Sequence, residues 1–157
     1  MDGVLEVHSV AGLYEEHRAA LVRFASALIG PSDAQDAVSE AMASLLRGGS
    51  LLDAQNPKAL MYTTVLAKTR SMQRSWYRRR ARERRFAESV VVEAPLVRPD
   101  VLDAVLGLSV RQRACVYLTY WEDLAPNQIA ETLGLGEGTV KKYLARARAH
   151  LREVLDE

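Results

Sequence analysis

From Pro126 onward the chain repeats apolar residues at helical spacing twice in quick succession. Ile129, Ala130 and Leu133 form a short stripe behind a proline, whose missing N–H and fixed φ suit the first turn of a helix. Gly134 stops that helix, Leu135 is an apolar plug, and Gly136 can cap the next one, where Val140, Leu144, Ala147 and Leu151 form a second stripe. The phase of this stripe turns Gly138, Thr139, Lys142, Ala145 and Arg146 outward. Two helices joined by so short a turn read as a helix-turn-helix, and the small, basic outward face has the form that enters a DNA major groove.

The rest of the chain keeps the same period. Leu13, Leu21, Phe24, Ala25 and Leu28 predict a helix that Gly30-Pro31 ends. Ser32 to Gln35 has capping-box spacing and predicts the start of a second helix, with Ala37, Val38, Ala41, Met42 and Leu45 inward and Gln35, Asp36, Ser39 and Glu40 on a polar, acidic exterior. After a loop from Gly48 to Gln55, Asn56-Pro57 opens a third helix predicted to run to about Glu83. Its buried side takes Leu60, Met61, Thr64, Val65, Met72 and Trp76. Periodicity disappears from Phe86 to Pro99, which reads as a linker. Val101, Leu102, Val105 and Leu106 predict a fourth helix ending near Gly107-Leu108. A second capping box, Ser109 to Gln112, opens a helix with Ala114, Cys115, Tyr117, Leu118 and Trp121 inward. No stretch alternates with period two, so the expected fold is all-α, with two small helical domains, 1–85 and 100–157, joined by the linker 86–99.

Charge changes this picture more than composition does. The net charge of the 157 residues is only +1, but it is the sum of segregated blocks. The chain is acidic up to residue 67, strongly basic from Lys68 to Arg85, and acidic again before the helix-turn-helix. In the basic block nine lysines and arginines face a single Glu83, and Trp76 and Tyr77 are interleaved with them. Such density repels itself unless a polyanion lies against it. It fits a groove in which phosphates are neutralised and unstacked bases rest on aromatic rings, although for Trp76 itself the spacing favours a place in the helix core.

Other chemistries are excluded on their residue requirements. His8, His17 and His150 lack metal-ligand spacing, Cys115 is alone, and no glycine-rich loop ends in Lys-Ser or Lys-Thr. Gly134, Gly136 and Gly138 do not follow a strand and make no dinucleotide loop. No catalytic residue, metal or cofactor is expected. No apolar run approaches the roughly 20 residues that span a bilayer, and no signal-peptide pattern follows Met1, so no membrane insertion is expected and the protein is placed in the cytoplasm.

The order of these parts resembles a bacterial extracytoplasmic-function (group IV) sigma factor of the sigma-70 family. The most specific elements are Asp33-Ala34-Gln35-Asp36-Ala37-Val38-Ser39-Glu40-Ala41 and Gly138-Thr139-Val140-Lys141, supported by the arginine run after Asn56-Pro57 and by Leu108-Ser109-Val110-Arg111-Gln112-Arg113. The resemblance spans Leu13 to Leu155 and implies two helical domains, regions 2 and 4, that bind core RNA polymerase and direct it to promoters without covalent chemistry of their own. It implies that Gln35, Asp36, Ser39, Glu40 and Ala43 dock on the clamp helices of the largest polymerase subunit, with the flap of the second subunit as a further contact. Tyr62, Lys68, Thr69, Arg70, Met72, Gln73, Arg74, Trp76, Tyr77 and Arg78 would meet the −10 element and its melted strand. Gly138, Thr139, Lys141, Lys142, Tyr143 and Arg146 would read the −35 element. An anti-sigma factor is an implied further partner.

Thr69 stands where the family usually has Asn, and Gln73 where an acidic residue is often found. Ala125 and Gly136 replace the usual hydroxyl caps of the two helix-turn-helix helices. Two alternatives stay open at this stage: a stand-alone helix-turn-helix regulator of duplex DNA, and a sigma-like protein that binds polymerase without initiating.

Overall fold

The computed structural model describes residues 9–87 and 104–156, without the side chains at 74–77, 79–80 and 83–87. Its helices are α1 (Val10–Ile29), α2 (Pro31–Gly48), α3 (Pro57–Ala87), α4 (Val110–Tyr120), α5 (Pro126–Leu133) and α6 (Glu137–Leu155). A helical turn at 104–106 precedes α4, and no strand occurs among the described residues.

The helix boundaries follow local chemistry. Ser9 caps α1 by accepting from the Gly12 N–H at 3.0 Å. The Asn56 carboxamide accepts from the Ala59 N–H at 3.0 Å, which starts α3 with Pro57 in its first turn. Ser109 and Gln112 form the expected reciprocal box on α4, with the Gln112 N–H donating to Ser109 Oγ and the Ser109 N–H donating to Gln112 Oε1. The box expected at Ser32 is not used. Pro31 is already the first residue of α2, because its locked φ and missing N–H favour that position, and Gly30 (φ 91°) turns the chain directly from α1 into α2. Helix α3 also continues past Glu83 to Ala87, so Phe86 and Ala87, expected in the linker, are helical. Residues 88–99 of that linker, and Val101 and Leu102 of the fourth predicted helix, lie outside the described residues.

Helices α1, α2 and α3 pack on one another around Leu21, Phe24, Leu28, Val38, Met61 and Val65. Helices α4, α5 and α6 pack around Leu118, Ile129, Leu133, Val140 and Leu144. These two blocks are in contact. Helix α5 lies against α3, and α4 lies against both α1 and α3, so their buried side chains form one continuous apolar cluster.

Three observations define this seam. Phe24 of α1 sits 5.0 Å from the Tyr62 ring and 6.0 Å from the Tyr117 ring, bringing α1, α3 and α4 together. Asn56 donates to Glu131 across a 3.3 Å hydrogen bond. Thr63 of α3 reaches the carbonyl of Thr132 at 3.5 Å, and the Gly134 turn lies beside it.

Candidate nucleic-acid interface

The helix-turn-helix is held by backbone chemistry at each joint. Helix α5 begins at Ala125, whose methyl cannot cap; the Gln128 side chain reaches back instead, and its Oε1 accepts from the Ala125 N–H at 2.8 Å. Asp123 supplies no cap to this helix. It occupies a left-handed conformation (φ 56°) in the preceding turn. The α5 terminus closes on Gly134 (φ 65°), and the Leu135 N–H donates to the Ala130 carbonyl at 3.0 Å, the bond of a Schellman turn. A side chain at 134 would be strained, so the sharp angle between α5 and α6 depends on this glycine.

Helix α6 buries Val140, Leu144 and Ala147 against α4 and α5. That anchoring leaves Gly138, Thr139, Lys142, Ala145 and Arg146 exposed, as their spacing required, and Lys141 exposed beside them, with Tyr143 half-buried. Lys141 pairs with Glu137 one turn earlier at 3.2 Å, so Lys142 and Arg146 are the more available cations of the early helix. A rigid helix with small residues at its start and cations behind them can place side chains on base edges and charges on phosphates.

Helix α2 carries a different surface. Gln35, Asp36, Ser39 and Glu40 are exposed and Ala43 is half-buried. Beside them lies an apolar groove of about 380 Å³ formed by Val10, Tyr14, Met42, Ala43 and Leu46, with Ser39 on its edge. Leu46 is 58% exposed. An acidic ridge next to an open apolar groove is a surface for a protein partner rather than for a polyanion. Sequence periodicity missed the groove, because Leu46 follows the buried Leu45 and belongs to neither the inward stripe nor the acidic face.

Helix α3 departs most from expectation. Lys68, Met72 and Gln73 are half-buried, and Arg70 and Arg78 are exposed, so these residues can face a ligand. Thr69 and Tyr62 are buried in this packed form. Thr69 is 0% exposed and its hydroxyl donates to the Leu66 carbonyl at 2.8 Å, while Tyr62 is 3% exposed beneath Phe24. Burial pushes the Tyr62 hydroxyl up to about 12, with the Glu122 carboxylate adding to the effect. The side chains of Arg74, Trp76 and Tyr77 lie outside the described residues. Trp121, expected inward on α4, is instead 76% exposed at the helix end and stacks on Tyr117 at 6.1 Å. Cys115 is buried as expected, and desolvation raises its thiol to about 11.

The seam also brings chemistry together. Arg70 and Gln73 of α3, Arg111 of α4, and Tyr143 and Arg146 of α6 line one cavity. Among the described residues no cluster of His, Cys, Asp and Glu could hold a metal ion, and no helix is long and apolar enough to cross a membrane.

Comparison with known proteins assigns the two blocks separately. Residues 13–85 match the family model of sigma-70 region 2, and residues 98–151 match sigma-70 region 4. An RNA polymerase sigma-E factor of Streptomyces coelicolor is 32% identical over 144 residues, covering 87% of this chain and 80% of the relative. The chain belongs to the extracytoplasmic-function sigma factors. The ECF RNA polymerase sigma factor SigL of Mycobacterium tuberculosis is 32% identical over 176 residues, covering 97% of this chain and 92% of that one. A crystallised sigma factor RpoE in complex with the anti-sigma factor NepR from Bartonella quintana shares the fold, with a TM-score of 0.54 and 23% identity over 92% of this chain and 96% of that one. The protein is therefore a sigma factor that directs transcription initiation. Proteins of this class are transcription initiation factors, not catalysts in themselves.

Proposed function

We propose that the sigma factor divides its work between the two blocks: 1–85 engages polymerase and the −10 element, 86–99 links, and 100–157 reads the −35 element. The observation that carries this reading is the separation of surface chemistry onto different rigid helices. Helix α2 presents Asp36, Ser39 and Glu40 beside the Leu46 groove. This surface suits the clamp helices of the largest polymerase subunit, where the acidic ridge sets orientation and the apolar groove gives contact area. The exposed face of α6, with Gly138, Thr139, Lys142 and Arg146, suits the −35 major groove. Arg70 and Arg78, with Lys68, Met72 and Gln73, suit the −10 strand. Trp121 and Tyr120, exposed at the end of α4, offer an apolar contact for the polymerase flap. This work is done in the cytoplasm, where polymerase and promoter DNA are found, and an anti-sigma factor is a fitting regulator.

The same geometry requires a change of shape. The two promoter elements are separated by about 25 base pairs, roughly 85 Å at 3.4 Å per pair. Gln73 and Arg70 share one cavity with Tyr143 and Arg146. A molecule packed this way cannot hold both elements at once, so promoter engagement requires the blocks to separate along the seam while 86–99 keeps them tethered. Opening would also uncover Tyr62, which the seam buries together with Tyr117.

Run-off transcription with purified core RNA polymerase on fragmented source DNA tests the reading. Discrete transcripts that depend on the protein and share upstream hexamers are expected. Core binding without transcripts would favour a polymerase-binding regulator, and duplex binding without core binding would favour a stand-alone repressor.

A further inference from the structure

A cavity of about 360 Å³ opens where α3 meets the start of α4 and the middle of α6. Arginines from three helices, Arg70, Arg111 and Arg146, line it, and no carboxylate does. Among the described residues these arginines form no ion pair, and Arg111 Nε is shielded from solvent without a hydrogen-bond partner. A buried donor left unmade is costly, and three like charges around one cavity repel.

Neutral groups in the wall point the same way. In the α4 capping box Ser109 Oγ and Gln112 Oε1 each accept a backbone N–H. The box leaves the Ser109 O–H and the Gln112 side-chain N–H groups available to donate to a ligand. The N–H groups of Val110 and Arg111 sit at the positive end of the α4 dipole. Gln73 and Tyr143 complete the lining.

We propose that this cavity binds a small oligophosphate, a diphosphate group either free or carried on a nucleotide, and that the ligand holds the sigma factor closed. The volume falls in the range of small-molecule sites. Planar guanidiniums bind phosphate oxygens in pairs, and three of them with a helix N-terminus match the charge of a diphosphate better than that of a single carboxylate. The site takes Arg70 and Gln73 from one block and all its other groups from the second, so it exists only while the blocks are packed. A ligand specific to that form shifts the equilibrium towards it and competes with promoter engagement. Binding stands on the cavity alone; the competition rests on the opening described under Proposed function.

The full chain is titrated calorimetrically with inorganic diphosphate, then with a nucleoside 5′-diphosphate, at about 0.15 M salt. One saturable site per chain is expected, with a smaller or unchanged scattering radius on binding. Tighter binding of the nucleotide would identify it as the source, and equal binding would identify the free anion. Arg111→Gln should weaken binding by about tenfold or more. Thr63→Arg, which wedges the seam away from the cavity, should abolish it. Arg70→Gln, at an exposed position, replaces Arg111→Gln if circular dichroism shows that variant unfolded. The proposal is overturned if diphosphate gives no more heat than sulfate at equal ionic strength. It is equally overturned if binding survives Arg111→Gln in the folded protein, or survives Thr63→Arg, since either would place the anion on one block's basic surface. Run-off transcription in parallel separates the two readings: transcripts without diphosphate binding sink only this site, and diphosphate binding without transcripts sinks only the sigma assignment.

Discussion

Thr63→Arg should open the molecule without touching any surface assigned to DNA or polymerase. Thr63 is half-buried on α3, with its hydroxyl donating to the Ala59 carbonyl at 2.7 Å and lying 3.5 Å from the Thr132 carbonyl of α5. A Cβ built on Gly134 would lie 3.7 Å from the same hydroxyl, so the backbone of the helix-turn-helix is already in near contact. An arginine there has no room while the blocks are packed and ample room once they part. Overfilling a packed site costs about 1–3 kcal/mol, here charged to the closed form alone. At 1.4 kcal/mol per tenfold, closure weakens by roughly 5- to 150-fold. If closure limits promoter binding, the apparent dissociation constant is the intrinsic one divided by the open fraction, and it falls by up to the same factor. Small-angle scattering should show a larger radius of gyration, and promoter binding with core enzyme should tighten; Thr63→Ser should change neither. An unchanged radius in a helical, folded Thr63→Arg variant would refute the argument about the seam. A larger radius with unchanged promoter affinity would show that closure does not limit function.

Lys142→Ala combined with Arg146→Ala should weaken promoter binding and lower the logarithmic salt slope by about 1.8, since each phosphate contact contributes about 0.9; core polymerase affinity should not change, and equal loss of both would mean α6 has another task. Asp36→Lys with Glu40→Lys should weaken core binding by about tenfold or more through reversed charge on the α2 ridge, and unaltered affinity in a pull-down titration would remove that assignment. Ala125→Ser should stabilise the helix-turn-helix by about 1 kcal/mol, because residue 125 already has extended geometry (φ −76°, ψ 158°) and lacks only an acceptor. A thermal melt should rise by about 2–4 °C, and no rise would mean that Gln128 already provides what the cap could add.

Much of this was legible in the chain because caps and stripes are local. Asn56, the Ser109–Gln112 box and Gly134 each act over three or four residues, and each performs the predicted role. Ser32 fails because two valid start signals compete, and Pro31, which cannot serve inside a helix, takes precedence. Tyr62 and Thr69 are hidden in the packed form for a different reason. Periodicity shows which side of a helix is apolar, but not how many neighbours that side will meet. On α3, Met61, Tyr62, Val65, Leu66 and Thr69 are all buried, a stripe too wide for one helix pair. It serves α1 and α2 and also α4 and α5 of the other block. Its width was the available signal for the seam. Trp121 was misplaced because the helical phase was extended one residue too far; it caps α4, where the chain has begun to turn away.

The seam joins an apolar attraction to an electrostatic repulsion, and the two respond oppositely to salt. Phe24, Tyr62 and Tyr117 close the blocks through area and ring contact, which salt barely alters. Arg70 of the first block lines one cavity with Arg111 and Arg146 of the second, so their like charges oppose closure, and added salt screens that repulsion. Screening therefore favours the closed form while it weakens every phosphate contact in the open one. The same arginines that repel in the closed form include cations assigned to the promoter, so added salt acts twice in the same direction. The salt dependence of promoter engagement by this sigma factor should thus be steeper than its phosphate contacts alone would set, with the excess measuring how much of the free protein is closed.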